Sequence, residues 1–215
     1  PALNAALDGK TLDISHESIA DHAPFIASDS SLTVERTIDA ISAHIDERHG
    51  LLLDPGEALF ASVDMRVPTW CHGSGYYATM GYAVPGALGA GLADPERRPV
   101  VLVGDGAFSM TGLEVASSAF HGVPAVFIIL DNQGFGTQRP ILEGPFNEIP
   151  ALAAEKLVDV IGTGQGWLVK TETELDKALS AAFNSNEVCI IRVRLPKTAR
   201  SAALSRLGAA LAARA

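Results

Sequence analysis

Two short apolar runs, each ending in an acidic turn, stand out in the hydrophobic pattern of the chain. The first covers residues 100–103 and stops at Gly104-Asp105-Gly106. The second covers residues 126–130 and stops at Asp131-Asn132-Gln133-Gly134. Short runs rich in Val and Ile and bounded by such turns are typical of buried parallel strands. The pattern therefore predicts two strands that each end in a turn containing glycine and a polar side chain.

A helix is predicted between these two strands. Thr111 and Glu114 match the spacing of a capping box, and Leu113, Ala116 and Phe120 recur at the spacing of one apolar helical face. A strand, a helix and a strand in this order form a βαβ unit, whose right-handed crossover makes the strands parallel. Both turns therefore lie at the carboxyl edge of the sheet, where open α/β sheets bind ligands.

The remaining sequence alternates between helical and extended patterns. Helices are predicted over residues 32–49, 81–93, 151–161, 171–183 and 196–215, and strands over residues 51–53, 167–169 and 188–195. Residues 67–80 and 137–150 are predicted to be functional loops, since the first is aromatic and glycine-rich and the second is long. The alternation predicts a single doubly wound α/β domain with a mostly parallel sheet and helices on both faces.

Several single residues refine this prediction. Gly50 is expected to end the first helix, because glycine commonly follows the last helical residue. Thr171 and Glu174 form a second capping box that opens the helix over residues 171–183. Arg192 and Arg194 in the last strand indicate that one of its edges meets solvent.

Composition narrows the classes of partner. The 215 residues are 47% hydrophobic and carry a formal net charge of -9 without a basic run, which argues against nucleic acid and acidic membrane surfaces. No stretch reaches the roughly 18 apolar residues of a membrane span. Cys71 and Cys189 match no metal or redox spacing, so a reducing, cytoplasmic location is expected.

The two strand-end turns carry the candidate chemistry. The Asp105 carboxylate, the Asn132 amide oxygen and a turn carbonyl suit a hard cation such as Mg²⁺, which keeps positions for phosphate. Gly106 allows backbone N–H groups to approach an anion closely at the start of the following helix. We therefore predict a site for magnesium and a diphosphate. One alternative is that both turns are simply solvated. Another is a phosphotransfer domain with Asp105 as nucleophile, but no lysine in this sequence lies where such a domain would need one to reach the phosphate.

This pattern resembles that of a known family. Gly104-Asp105-Gly106, followed after a helix and a strand by Asp131-Asn132, resembles the thiamin-diphosphate motif, in which G-D-G precedes N-N or D-N. Residues 76–90, YYATMGYAVPGALGA, resemble the segment before G-D-G in 2-oxo acid decarboxylases of the pyruvate and indolepyruvate type. The resemblance implies the thiamin-diphosphate-binding fold, with thiamin diphosphate and Mg²⁺ as cofactors.

The resemblance also implies roles for individual residues. Asp105, Asn132 and the carbonyl of Gly134 would ligate Mg²⁺. Met80 stands where the family has a bulky apolar residue that bends the cofactor, although it is otherwise explained as ordinary core filling. Glu57 is a candidate because of its position and not because of the resemblance: it lies just beyond the end of the strand over 51–53, and it either faces the cofactor or is an exposed carboxylate at a helix start. The candidate cofactor-binding residues are Glu57, Ala78, Thr79, Met80, Gly104, Asp105, Gly106, Ala107, Asn132, Gly134, Phe135 and Gly136.

Gln138 departs from the family pattern. Family members have a glutamate here that handles substrate and protons, and glutamine does not transfer a proton. We count Gln138 with Met80 as the candidate catalytic residues, and Glu143 is either a substitute acid or a surface carboxylate. The leading interpretation is a 2-oxo acid decarboxylase. The alternatives are an acetolactate-synthase-like carboligase, a split sulfopyruvate-type decarboxylase subunit, or a non-catalytic cofactor-binding or regulatory module.

The resemblance covers only part of a family active site. We expect residues 1–31 to be a linker or the remnant of a preceding domain, residues 32–195 the diphosphate-binding (PP) domain, and residues 196–215 a helical tail. Family members activate the cofactor with a glutamate from a separate pyrimidine-binding (PYR) domain, usually in a neighbouring subunit. The chain is therefore expected to be a fragment or a separate subunit that needs a PYR domain, within a homo- or hetero-oligomer acting on a small 2-oxo acid.

Overall fold

Six parallel strands form the centre of the molecule, in the order β2-β1-β3-β4-β6-β5. The structure is a computed structural model and describes residues 24–65 and 70–212. Every strand pairing among these residues is parallel. The strands are β1 (His49–Leu53), β2 (Cys71–Gly73), β3 (Arg98–Gly104), β4 (Val126–Asp131), β5 (Gln165–Val169) and β6 (Cys189–Arg194).

Helices connect the strands and cover both faces of the sheet. They are α1 (Val34–His44), α2 (Glu57–Ala61), α3 (Ala83–Ala93), α4 (Asp105–Thr111), α5 (Val115–Phe120), α6 (Leu157–Ile161), α7 (Glu172–Asn184) and α8 (Ala202–Ala212). Short 3₁₀ turns lie at Ser62–Asp64, Gly112–Glu114, Pro145–Asn147 and Ala154–Lys156. The predicted doubly wound α/β fold is confirmed. No helix in the part of the chain that the structure describes is long and apolar enough to cross a membrane.

Alternate residues of the central strands pack into two separate cores. On β3, Val100 and Leu102 belong to one buried cluster, and Val101 and Val103 belong to the cluster on the opposite face. A strand covered by helices on both sides needs apolar residues at every position. This burial explains why β3 and β4 are visible in the sequence as unbroken apolar runs.

The strand order places a switch point next to the predicted site. From β1 the chain moves to β2 on one side and then to β3 on the other side. In doubly wound sheets, ligands bind in the crevice outside such a switch point, at the carboxyl ends of the strands. The pairing of Gly104 with Leu130 also aligns the ends of β3 and β4, so the residues that follow them emerge together.

The helix predicted between β3 and β4 differs from the structure. Thr111 does not open a capping box: it is the last residue of α4, and its Oγ1 donates a hydrogen bond to the Gly81 carbonyl at 2.8 Å. Leu113 and Phe120 are 74% and 85% exposed, while Val115 is fully buried. The predicted apolar face is therefore wrong, because a break at the Gly112–Glu114 turn rotates the following helix.

Three further boundaries also differ. The first helix ends at His44, and Gly50 lies within β1. The predicted helix over 151–161 is reduced to the Ala154–Lys156 turn and α6. The predicted loop over 67–80 contains β2, although its residues 67–69 lie outside the described part.

The last strand is not at an edge. β6 lies between β4 and β5, and Arg192 is buried at 7% exposure. The prediction that Arg192 and Arg194 mark a solvent-facing edge is wrong, since both guanidinium groups turn to Asp131, at 3.6 and 3.1 Å. A buried arginine is tolerated because carboxylates compensate its charge.

The second capping box is confirmed. Thr171 accepts a hydrogen bond from the Glu174 amide, and the Glu174 carboxylate accepts one from the Thr171 amide, both at 3.3 Å. Residues before α1 also pack here, since the amides of Glu172 and Thr173 donate to the carbonyls of Ser30 and Ser28. The predicted domain limits stay predictions, and most of the proposed linker, residues 1–23, lies outside the described residues.

Candidate functional site

A cavity of about 280 Å³ opens at the carboxyl edge of the sheet, beside the ends of β1, β3 and β4. Every residue implied by the resemblance lines this cavity except Thr79, whose carbonyl accepts a hydrogen bond from Ser74 Oγ at 3.2 Å. The predicted residues that the structure brings together are Glu57, Ala78, Met80, Gly104, Asp105, Gly106, Ala107, Asn132, Gly134, Phe135, Gly136 and Gln138.

Asp105 joins the ends of two strands. Its Oδ1 accepts from the Gly106 amide at 2.9 Å, and its Oδ2 accepts from the Gly134 amide, beyond β4, at 3.0 Å. Burial raises its pKa from 3.8 to about 7, the charge of Asp131 adds to this, and the backbone hydrogen bonds oppose it. None of the ion pairs found among the described residues includes Asp105, so no cationic side chain there compensates its carboxylate.

The turn after β4 has an unusual backbone. Gln133 has a φ of 63°, in the left-handed region, and Gly134 has a φ of 153°. A Cβ on Gly134 would collide with the Asn147 carbonyl, so only glycine fits there. This conformation directs the Gly134 amide to Asp105 and brings buried Asn132 into the cavity wall.

Asp54 fixes the wall that contains Met80. Its fully buried carboxylate accepts hydrogen bonds from the amides of Gly81 at 3.0 Å and Ala83 at 2.9 Å. Burial raises the pKa of Asp54, and these two amides oppose the shift. Ala78, with a φ of 56°, shows that this segment is held in a strained conformation. Sequence reasoning missed Asp54, although its place directly after β1, in Asp54-Pro55-Gly56, was a usable signal.

Glu57 is neither an exposed carboxylate nor free of protein contacts. Its side chain is buried, and Oε1 accepts a hydrogen bond from the Ser201 amide at 2.9 Å, just before α8. Burial raises the pKa of Glu57, and the contacts with Ser201 oppose the shift. The prediction of an exposed helix-start residue is wrong, because the C-terminal helix covers this position. Glu57 still lines the cavity.

A second set of charges lies behind the site. Asp131 pairs with Arg194 at 3.1 Å, and Arg192 Nε lies 2.9 Å from Glu155. Sequence reasoning missed this network because its members come from separate strands and a loop. Among the described residues, no group of three or more His, Cys, Asp or Glu side chains is arranged to hold a metal. The oxygen atoms of the two turns are instead of mixed type: the carboxylate of Asp105, the amide of Asn132 and the carbonyl of Gly134.

A comparison with protein families decides the assignment. A family model described as "Thiamine pyrophosphate enzyme, C-terminal TPP binding domain" matches residues 57–193, which include the ends of β3 and β4. The chain belongs to the thiamine pyrophosphate enzymes. Thiamine pyrophosphate is another name for thiamin diphosphate, so the predicted family and cofactor are confirmed at the level of this domain.

Individual relatives are decarboxylases. A probable pyruvate decarboxylase of Schizosaccharomyces pombe is 32% identical over 160 residues, covering 68% of this chain and 27% of that protein. An alpha-keto-acid decarboxylase of Mycolicibacterium paratuberculosis is 30% identical over 173 residues, covering 77% and 31%. Among solved structures, the same fold is found in a thiamine diphosphate-dependent 4-hydroxybenzoylformate decarboxylase of Rhodococcus jostii, with a TM-score of 0.71. The two sequences are 22% identical, and the match covers 80% of this chain and 34% of that chain. This thiamine pyrophosphate domain thus spans about a third of the length of these relatives.

The residues of the cavity fit the cofactor of the family. The Asp105 carboxylate lacks a positive partner among the described residues, and a magnesium ion would supply one. The glycines along the rim, Gly104 and Gly106, place backbone rather than side chains against the cavity. Met80 and Ala78 form an apolar wall beside them. Mg²⁺ is the usual metal partner of thiamine pyrophosphate in this family.

Proposed function

We propose that this chain forms the magnesium- and diphosphate-binding half of the active site of a thiamin-diphosphate-dependent 2-oxo acid decarboxylase. The observation that carries the proposal is the cavity beside which the ends of β3 and β4 are joined through Asp105. The names of the relatives support the reaction class. Because the chain spans only part of those relatives, the remainder of the site would come from a pyrimidine-binding domain, in another segment or chain of an oligomer.

Each residue has a defined task in this proposal. Asp105, Asn132 and the Gly134 carbonyl would hold Mg²⁺, and Gly104, Gly106 and Ala107 would border the diphosphate. When bound, thiamin diphosphate supplies the nucleophilic carbon and the electron sink for cleavage beside a carbonyl group. The chain binds and orients the cofactor, and Met80 supports its bent shape from the apolar wall. Gln138 also lines the cavity and can donate or accept a hydrogen bond but cannot release a proton.

Calorimetric titration tests the cofactor assignment. The chain is titrated with thiamin diphosphate in the presence and absence of Mg²⁺, alongside Asp105→Ala and the control Asp159→Ala, a change of an exposed residue on α6. We expect magnesium-dependent binding to the unmodified chain and the control, and its loss in Asp105→Ala with the fold largely kept. Unchanged affinity in Asp105→Ala would show that the ligand assignment is wrong.

Carboligation is the second candidate because of Gln138. A site without an acid at this position has less means to protonate the product of decarboxylation, which leaves the bound fragment available to a second carbonyl compound. Product analysis with pyruvate and aryl pyruvates, after a pyrimidine-binding partner is supplied, separates the two reactions. Gln138→Glu is expected to raise the share of simple decarboxylation. An unchanged product ratio would show that Gln138 does not decide between decarboxylation and carboligation.

We also propose a cytoplasmic location. Cys71 is exposed and unpaired, and Cys189 is buried and unpaired, which suits a reducing compartment. Fractionation of the native source, with detection of the chain by antibody, tests this location. Recovery of the chain from an oxidising compartment would contradict it.

A further inference from the structure

The segment that follows β4 forms a closed loop. Gly134 and Glu148 pair as an isolated antiparallel bridge, and the Phe135 amide donates to the Asn147 carbonyl at 2.8 Å. Residues 134–148 therefore leave the sheet and return to nearly the same point, as in an Ω-loop. The first residues of this loop line the cavity: Gly134, Phe135, Gly136, Thr137 and Gln138.

A single arginine fills the inside of the loop. The Arg139 side chain is only 7% exposed, and its Nη1 lies 2.7 Å from Glu143 Oε1 and its Nη2 lies 2.9 Å from Glu148 Oε1. The guanidinium thus joins the middle of the loop to its closing end. Planar guanidinium groups suit two such simultaneous contacts, and each charge-assisted hydrogen bond is stronger than a neutral one.

The same guanidinium lies directly behind Gly134. Its Nη2 would be 2.9 Å from a Cβ at that position, so Arg139 and the Asn147 carbonyl together enclose the Gly134 backbone. Glu148 is also held from outside the loop, by Lys197 Nζ at 2.6 Å. A chain of contacts therefore runs from the segment after β6, through Glu148 and Arg139, to Gly134.

We infer that Arg139 is a positioning residue, which holds loop 134–148 as a preformed wall of the cavity before any cofactor arrives. The inference rests on the proposed function, because Gly134 contributes a carbonyl to the proposed magnesium site. Arg139 itself is not among the residues that line the cavity. It acts through the backbone of Gly134 and through the residues that follow it.

Hydrogen exchange of the cofactor-free chain tests the preformed loop. We compare the unmodified chain with Arg139→Met, which keeps an apolar stem of similar length and removes both ion pairs. The control is Arg97→Met, since Arg97 likewise pairs with a carboxylate close in sequence, Asp94 at 2.8 Å, but does not line the cavity. We expect exchange within residues 134–148 to be about ten-fold faster or more in Arg139→Met alone, as local opening becomes easier. Equal exchange in all three chains overturns the inference.

Cofactor affinity separates a positioning role from a merely local structural one. We expect Arg139→Met to weaken magnesium-dependent binding of thiamin diphosphate by about ten-fold, which corresponds to ~1.4 kcal/mol. Arg139→Lys is expected to recover only part of this affinity. Lysine keeps the positive charge, but its ammonium group lacks the planar fork that contacts both carboxylates. Faster exchange with unchanged affinity also overturns the inference. Absence of binding in the unmodified chain would refute the proposed function instead, while the exchange comparison still decides whether Arg139 holds the loop.

Discussion

Several residues in or next to the cavity are in energetically unfavourable states. Asp105 carries a partly buried carboxylate without a cationic partner in the described part of the chain, and Ala78 and Gln133 have left-handed backbone conformations. Non-glycine residues with such conformations cost about 1–3 kcal/mol each and persist where surrounding structure imposes them. Their concentration beside one cavity indicates that binding, rather than stability, determined these positions.

Asp105 makes the stability of the cofactor-free chain depend on pH. Its pKa in the folded chain is about 7, above the ordinary 3.8, so the unfolded chain releases this proton at lower pH. The contribution of Asp105 to the free energy of unfolding therefore decreases as the pH rises from about 4 to about 7. We expect Asp105→Asn to show a flatter pH dependence than the unmodified chain across this window, in thermal unfolding without cofactor.

The control for this prediction is Asp159→Asn, which changes an exposed aspartate of α6 and should keep the pH dependence of the unmodified chain. If the unfolding midpoints of Asp105→Asn and the unmodified chain changed with pH in the same way, the pKa of Asp105 would not be raised by its surroundings. The comparison uses the difference between the two chains, because other buried groups also titrate in this range.

Packing between elements depends on the small residues of α3. The many alanine and glycine residues of α3 allow it to pack on β3 and α5. A Cβ on Gly91 would lie 3.3 Å from Pro99 Cγ and closer still to Val123, whereas a Cβ on Gly89 would meet no atom within 4 Å. The two glycines therefore differ only in what surrounds them.

We expect Gly91→Ala to destabilise the chain by about 1–3 kcal/mol, because the added methyl group overpacks the contact with Val123. Gly89→Ala should instead stabilise it by up to ~1 kcal/mol, through the higher helix propensity of alanine. Chemical denaturation of both variants measures the two effects. A stabilising Gly91→Ala would mean that α3 lies farther from Val123, in the loop before β4, than the structure shows.

A partly buried ion pair joins α7 to α1. Glu172 accepts hydrogen bonds from Arg36 Nε at 2.6 Å and from the Ser28 amide at 3.0 Å, and Arg36 chiefly lowers the Glu172 pKa from 4.5 to about 2. A lowered pKa contributes stability above the ordinary value, and this contribution is lost as the pH falls from about 4.5 to about 2.

At pH 7, Glu172→Gln should therefore have a lower unfolding midpoint than the unmodified chain. The difference between the two midpoints should become smaller towards pH 2, where Glu172 becomes protonated. Thermal unfolding across that range checks the expectation, with Glu47→Gln, a change of an exposed residue, as control. A deficit in Glu172→Gln that persisted unchanged to pH 2 would contradict the assigned cause.

Several large aromatic side chains are exposed on the molecule as a whole. Tyr76 and Tyr77, which precede the Met80 wall, are almost fully exposed, and so is Phe120 on α5. Exposed aromatic residues of this kind are typical of surfaces that another protein surface covers. This agrees with the proposed need for a pyrimidine-binding domain, since the chain spans about a third of its relatives.

We expect the chain alone, with thiamin diphosphate and Mg²⁺, to bind the cofactor without robust turnover of pyruvate or aryl pyruvates. Turnover should appear when a pyrimidine-binding domain is added. Steady-state assays, combined with light scattering to establish the oligomeric state, check both statements. Robust turnover by a monomer of this chain would refute the proposal that it holds half of an active site.

Local sequence sufficed wherever a structural feature depends on neighbouring residues. The strands at 100–103 and 126–130 and the capping box of Thr171 and Glu174 were predictable, because burial on both faces requires unbroken apolar runs and a cap needs only four residues. The meeting of Asp105 with the turn after β4 was also predictable, since parallel strands end at one edge of the sheet.

Only the tertiary structure decided the features that depend on distant partners. Thr111 bonds to Gly81 rather than capping a helix, Glu57 is covered by the start of α8, and Arg192 turns inward to Asp131 and Glu155. The burial of a polar side chain follows from residues far along the chain, which periodicity cannot reveal. The sequence by itself therefore determined the sheet, its ligand-binding edge and the family. The three-dimensional packing determined which charges are paired around that edge, and it left the Asp105 carboxylate without a cationic side chain among the described residues.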